Sequence, residues 1–373
     1  MRRTEKLPAL TSLRFFAAFY IVLHHALRVF LPGIPPDGIL WRFIQLGWCS
    51  VTFFFILSGY ILCIVYLKSG EPVPLRSFFR ARFARVYPLF LLTLVLDTPN
   101  LFLKRLATFG MKIAAYKTAV IFSGHLVMLN AWIPQLRGID APNWSLSVET
   151  VFYLCFPFLG VALSDLRGHR LWIVATFTYL GGMITSYEAY RHVGGDLGSH
   201  LPLINLYFFV LGILLGRWQM LRGEQDAQVG RTITRQAYIT SAAELACFSA
   251  VVYWSPQIPN PNLIAGLLVP AFVGMIWAFS HSDWLPARLL SARWLVVLGE
   301  ASFGLYLFHV PVLHLFQSLG WDREPKLFIV YLATSIGVSV LSFYLFETPA
   351  RRWLMKSGWG RMKETLEMAS DAQ

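Results

Sequence analysis

An arginine and a histidine stand eleven positions apart in RFFAAFYIVLHH, where Arg14 opens and His25 closes a run that is otherwise apolar. A neutral imidazole can accept a proton from an attacking hydroxyl near neutral pH. A guanidinium can clamp a phosphate through paired N–H bonds. His25 falls ~18 Å along its helix, in the outer half of a ~30 Å hydrocarbon layer, and an imidazole at that depth has to face the bundle or a water-filled cavity. A histidine that only joins two helices is the alternative reading, and Arg14 reads equally well as a snorkelling anchor. His24 points about 100° away around the helix, so only one of the two imidazoles is expected to face any one cavity.

NWSLSVETVFYLCFP carries Glu149 just inside a helix, at a depth close to that of His25. A buried carboxylate needs a partner, and an imidazole whose tautomer it fixes is the expected one. Ser145 and Ser147 are alternative candidates, as nucleophiles of a covalent mechanism, although neither sits in a GxSxG strand-turn-helix setting. ASFGLYLFHVP places His309 ~21 Å into a helix entering from the cytoplasm, with Ser302 and Tyr306 preceding it on the same polar face. RSFFRARFARVYP sets Arg76, Arg80, Arg82 and Arg85 before a proline and a new helix. Such cations suit the phosphates of a nucleotide-like donor, and also suit ordinary anchoring at a cytoplasmic face. Cations on the inner side and ionisable groups farther out fit a donor arriving from the cytoplasm and an acceptor arriving from the opposite side. The chain holds no Walker loop, HExxH pair, zinc-finger spacing or aromatic-basic module, so nucleotide hydrolysis, metal catalysis and nucleic-acid binding are not expected.

The elements that must position these groups are membrane helices. Of 373 residues, 56% are hydrophobic and 14% charged, too apolar a mixture for a soluble domain to cover itself. The fold expected is an all-α polytopic bundle of ten spans, at residues 13–31, 46–67, 86–103, 147–164, 171–187, 203–217, 239–253, 263–279, 295–316 and 328–346. Residues 112–130, with early lysines and a central Ser-Gly-His, read as an interfacial or re-entrant helix. Ten spans put both termini on one side, and 22 of the 32 lysines and arginines then fall at the cytoplasmic face. Lys104, Arg105, Lys112 and Lys117 run against that bias. Residues 1–355 make one membrane domain, 356–373 a cytoplasmic tail, and the first span reads as an uncleaved anchor. The net charge of +12 suits anionic headgroups and anionic cytoplasmic ligands. Cys49, Cys63, Cys155 and Cys247 read as packing residues, and GILLG at 212–216 as a close helix contact.

These segments resemble the acyltransferase-3 family of integral membrane O-acyltransferases. Arg14 and His25 match its arginine-then-distant-histidine motif, FFFILSGYIL its Phe-x-Leu-Ser-Gly segment, and Arg80, Arg85 and Pro88 its basic run before a proline. Trp144, Ser145 and Glu149 match its Trp-Ser-Leu-x-x-Glu motif. Ser302, Tyr306 and His309 fall in its late histidine segment, where Phe303 replaces a common tyrosine, and Glu347 and Pro349 close the series. The resemblance implies transfer of an acyl group, commonly acetyl, from a cytoplasmic acyl-CoA to a hydroxyl of a surface polysaccharide, lipid-linked sugar or related glycan. It implies a place in a bacterial inner membrane, surrounded by lipid and beside glycan-biosynthesis proteins. His25 is then the general base or a transient acyl carrier, with Glu149 its orienting carboxylate. His309, Tyr306, Ser302, Trp144 and Ser145 support the site, and Arg14, Arg80, Arg82 and Arg85 hold the CoA phosphates. No SGNH-type extension follows, so a second transfer step in this chain is not expected. The competing reading is a transporter or flippase that uses the same intramembrane polar groups for passage; a noncatalytic scaffold is the third.

Overall fold

The computed structural model describes residues 7–35, 37–67, 72–139, 141–223, 230–281 and 284–356. Among them there is no strand, and the α-helices are α1 (Pro8–Phe30), α2 (Ile39–Gln45), α3 (Ser50–Tyr66), α4 (Leu75–Phe109), α5 (Met111–Leu126), α6 (Trp144–Leu163), α7 (Gly168–His192) and α8 (Gly195–His200), followed by α9 (Pro202–Gly223), α10 (Gly230–Trp254), α11 (Pro261–Ser280), α12 (Leu285–Leu290), α13 (Arg293–Glu300), α14 (Ser302–Ser318), α15 (Leu327–Ser342) and α16 (Thr348–Lys356). Helices alone satisfy every backbone N–H and C=O within one crossing of a lipid layer, which is why so apolar a chain takes this form. Lipid-directed surfaces carry large bare side chains, among them Phe158, Phe177 and Ile329. All of the 356–373 tail beyond Lys356 lies outside the described residues.

Among the described residues eight helices are long and apolar enough to cross a membrane, and α13 with α14, bent by 58°, makes a ninth if counted as one span. The one remaining expected span, at 171–187, forms a helix of 25 residues, α7, which is long enough to cross. Its threonines, tyrosines and glycines (TFTYLGGMITSY) dilute its apolar character, and it is not among the eight.

The largest departure from the sequence reading is α4. The basic run RSFFRARFARVYP is its first third and not a loop before a helix. At 35 residues the helix extends ~52 Å, well beyond the ~30 Å hydrocarbon layer, with Pro88 and Pro99 inside it. Arginine and alanine are good helix formers, and proline costs one hydrogen bond that neighbouring helices can offset, so neither feature ended the helix. Gly110, at φ +75°, reverses the chain into α5, whose end returns to α4 where the Tyr87 hydroxyl donates to Leu126 O at 3.2 Å. At 16 residues, ~24 Å, α5 is too short to span. Of the irregular segment that follows it, Asn130, Ala131, Ile139 and Asn143 are buried, all at or below 1% exposure, while Val127, Trp132 and Ile133 are exposed. Irregular backbone inside a membrane protein is tolerated where protein covers it or it lines a cavity, and this segment does both.

α3 and α9 meet backbone to backbone. A Cβ on Gly59 would lie 2.0 Å from Phe209 O, and one on Gly212 would lie 2.0 Å from Ile56 O. The GILLG segment thus brings two backbones together, as its spacing suggests, and α3 and α9 form the wall behind α1 and α6.

Candidate active site

α1 runs through the centre of the bundle, against α3, α11, α13 and α14. It carries Arg14 near one end and His25 near the other, ~16 Å apart along the axis. His25 meets His309 of α14, with Nδ1 3.2 Å from His309 Nε2 and ring centroids 5.1 Å apart. His309 is fully buried. Its Nδ1 lies 2.7 Å from Tyr306 O, and its own carbonyl accepts from the Tyr331 hydroxyl at 3.0 Å.

These contacts fix the tautomers. A carbonyl only accepts, so His309 Nδ1 carries the hydrogen and a neutral His309 has an unprotonated Nε2. His25 Nδ1, placed between that nitrogen and Ile21 O at 3.0 Å, is therefore the donor. The consequence is a His25 Nε2 with a free lone pair. His25 lines a cavity of about 440 Å³ together with His24, Trp48, Phe55, Trp144 and Tyr306. The arrangement can take a proton at His25 Nε2 and spread the resulting charge onto His309.

Glu149 does not meet His25. Its Oε1 accepts from Ser58 at 3.2 Å and from Tyr153, one turn along the same helix. Similar depth on two helices leaves the facing direction open, and α6 turns this carboxylate toward Arg14, on whose charge Glu149 and Glu347 act. Tyr153 in turn feels Arg82 and Arg85, and the Arg82 guanidinium sits over its ring at 5.8 Å. Arg14, Arg82, Arg85 and Arg351 thus gather with Glu149, Glu347 and Glu300, four cations against three carboxylates, at the end of the bundle opposite the cavity. Arg80 donates from Nε to Leu354 O at 2.9 Å, while Arg80 Nη2, Arg82 Nε and Glu347 Oε2 are buried without a partner among the described residues. None of these arginines lines the cavity. Orphaned guanidinium N–H groups with excess positive charge fit an anion such as a phosphate.

The remaining candidates divide. Tyr306, which lines the cavity, donates to Pro142 O at 2.8 Å and meets Ser145 Oγ at 2.6 Å, so the buried Ser145 hydroxyl sits behind the cavity wall. Ser145 donates to Pro142 O and Ser147 to Met128 O, and neither hydroxyl bonds an imidazole among the described residues, so neither is set up as an activated nucleophile. Ser302 bonds to Gly299 O at 2.7 Å at the bend between α13 and α14, where it supports the break and does not reach the cavity. Trp144 lines the cavity with its ring 4.3 Å from that of His200, edge to face.

His24 lines the same cavity as His25, contrary to the expectation that only one would. The cavity is wide enough to reach across the ~100° between successive side chains. The sequence reading also passed over Asn205, Asn262, His200 and Arg137, which close the cavity from separate elements. It missed a buried Asp97 to His314 pair as well, 2.6 Å apart between α4 and α14. The aspartate in an apolar helix was the available signal for that pair.

A family model described as an acyltransferase domain matches residues 7–346. Acyltransferase MdmB of Streptomyces mycarofaciens is 28% identical over 94% of this chain and 93% of its own length. Nodulation protein 10 of Rhizobium leguminosarum bv. viciae is 24% identical over 91% of this chain and 92% of its own. Peptidoglycan O-acetyltransferase OatA of Listeria monocytogenes is 24% identical over 94% of this chain, which corresponds to 58% of that longer protein. No solved structure matches the chain. A match that runs from the start of α1 to the end of the last long helix makes this chain an integral membrane member of the acyltransferase-3 family.

Proposed function

We propose that the protein is an O-acyltransferase that moves an acetyl group from cytoplasmic acetyl-CoA to a hydroxyl of a glycan or lipid-linked sugar, with His25 as the general base. The observation that carries this reading is the directional chain from Tyr306 O through His309 to His25, which leaves an uncommitted Nε2 lone pair on a histidine that lines the cavity. In the reaction the acceptor O–H gives its proton to His25 Nε2 as its oxygen attacks the thioester carbonyl. The tetrahedral adduct collapses, the C–S bond breaks, and the proton on His25 passes to the departing CoA sulfur. His309 Nε2, accepting from His25 Nδ1–H, steadies the transient imidazolium, the part that a carboxylate plays in a catalytic triad. Arg14, Arg82 and Arg85 hold the donor phosphates, with Arg80 at the rim. Glu149 and Glu347 keep those guanidinium groups apart and oriented, so Glu149 serves the donor end and not the base. With α7 counted as a crossing, both termini lie in the cytoplasm of a bacterial inner membrane, and glycan-biosynthesis proteins deliver the acceptor from the far side.

The test uses the purified full chain with labelled acetyl-CoA and a panel of hydroxylated glycans and glycolipids. Acceptor labelling that depends on acetyl-CoA is expected. Passage of a polar substrate across proteoliposomes, with no acetylated product, would replace this reading with a transporter.

A further inference from the structure

The wall of the cavity away from His25 carries a second, unassigned set of groups, and their hydrogens can be placed one by one. Asn205 Nδ2 donates to Ser199 O at 2.9 Å and to Leu201 O at 3.0 Å, so both amide hydrogens are used and Oδ1 is left as a pure acceptor. Asn262 Nδ2 donates to Ser186 O at 2.9 Å, which likewise fixes its Oδ1 as the oxygen. His24 Nδ1 faces Ile44 O at 3.3 Å, carries the hydrogen, and leaves Nε2 with a lone pair. Gly47 makes this contact possible, because a Cβ there would lie 2.7 Å from His24 Cβ. Neither asparagine oxygen is among the buried atoms that lack a partner, although the residues are only 7% and 8% exposed, so what exposure they keep is toward the cavity.

We infer that His24, Asn205 and Asn262 form a hydroxyl-reading subsite for the acceptor, an inference that rests on the acyl-transfer reading above. Three acceptors without matching donors are satisfied by a ligand that brings several O–H groups. They repel the oxygens of a carboxylate or phosphate, the guanidinium of the lining residue Arg137 is engaged with Asn130 O, Ala131 O and His200 Nδ1, and a simple alcohol leaves two of the three acceptors unpaired. Trp48 and Trp144 supply apolar faces beside them. The ligand class is a neutral polyhydroxylated ring, with one hydroxyl at His25 and its neighbours held by His24 and the two amide oxygens. The subsite thereby decides which hydroxyl is acylated.

The experiment titrates the full chain in lipid nanodiscs with neutral methyl hexopyranosides, methyl glucuronide and 1-hexanol, and follows tryptophan fluorescence. Saturable quenching by at least one neutral hexoside is expected, with at least tenfold weaker response to the glucuronide and to hexanol. His24→Leu and Asn262→Leu each weaken that binding tenfold or more. His24→Gln, whose amide can still donate to Ile44 O and accept from a hydroxyl, stays within about threefold of the parent. Melting temperature and monodispersity establish that each variant is folded, and Asn205→Leu replaces any that is not. Absence of hexoside binding, equal binding of the glucuronide or hexanol, or unchanged affinity in the folded leucine variants overturns the inference. Binding needs no acyl donor, so hexoside binding without acetyl transfer would reject the acyl-transfer reading and keep the subsite. Acetyl transfer with no effect of His24 would do the reverse.

Discussion

His309 donates to a carbonyl on its own helix and offers its other nitrogen to His25, so its loss removes the support of the proposed base and leaves His25 itself in place. His309→Ala is predicted to lower kcat by about 10²-fold with little change in KM for acetyl-CoA, as steady-state kinetics would read. Arg14→Ala is predicted to act the other way, raising KM for acetyl-CoA about tenfold or more, because a charge-assisted phosphate contact is worth ~1.5–3 kcal/mol. Unchanged KM in that variant would place the donor elsewhere. His25 was legible in the sequence because an imidazole inside an apolar run has few structural uses. Its partner was not: equal depth made Glu149 as good a candidate as His309, and depth along a helix does not reveal which way a side chain faces. Asn205, Asn262 and His200 sit alone near helix ends, with no spacing that separates them from capping residues, so only the closed cavity shows them together.

At the scale of elements, the site depends on helices that hold α1 between two walls. The α3 to α9 contact leaves no room for a side chain at Gly212, where a Cβ would fall 2.0 Å from a backbone oxygen. Gly212→Val is predicted to cost ~3 kcal/mol or more, seen as a lowered melting temperature on thermal-shift size exclusion; a parental melting curve would contradict the packing. The Asp97 to His314 pair fixes α14, and with it His309, against α4. Asp97→Leu removes the imidazole's carboxylate partner and is predicted to destabilise the fold by about 1–3 kcal/mol, while a stability close to the parent would mean the clamp is weak. Most spans were legible from apolar length alone. The span within α4, at 86–103, was among them, but its extension back to Leu75 was not legible, because arginines and prolines imitate a loop, and α7 was read as a crossing although hydroxyls and glycines thin its apolar face.

At the scale of the molecule, positive charge gathers at one end and a cavity lined by imidazoles and amides opens at the other, with α1 reaching both. If the arginine end is cytoplasmic, Arg76→Cys in a background without the four native cysteines reacts with a membrane-impermeant maleimide only in inverted vesicles. Gln257→Cys, exposed at the cavity end, reacts only in right-side-out ones; the opposite pattern reverses the route of donor and acceptor. The central claim is that an imidazole in the cavity takes the acceptor proton, and the most direct measurement is the rate of labelled acetyl transfer by the parent and by a folded His25→Gln variant in the same nanodiscs. The account predicts a loss of 10³-fold or more, on the order of what removing a positioned base costs, with acetyl-CoA still bound. A His25→Gln protein that transfers acetyl at the parental rate would contradict it.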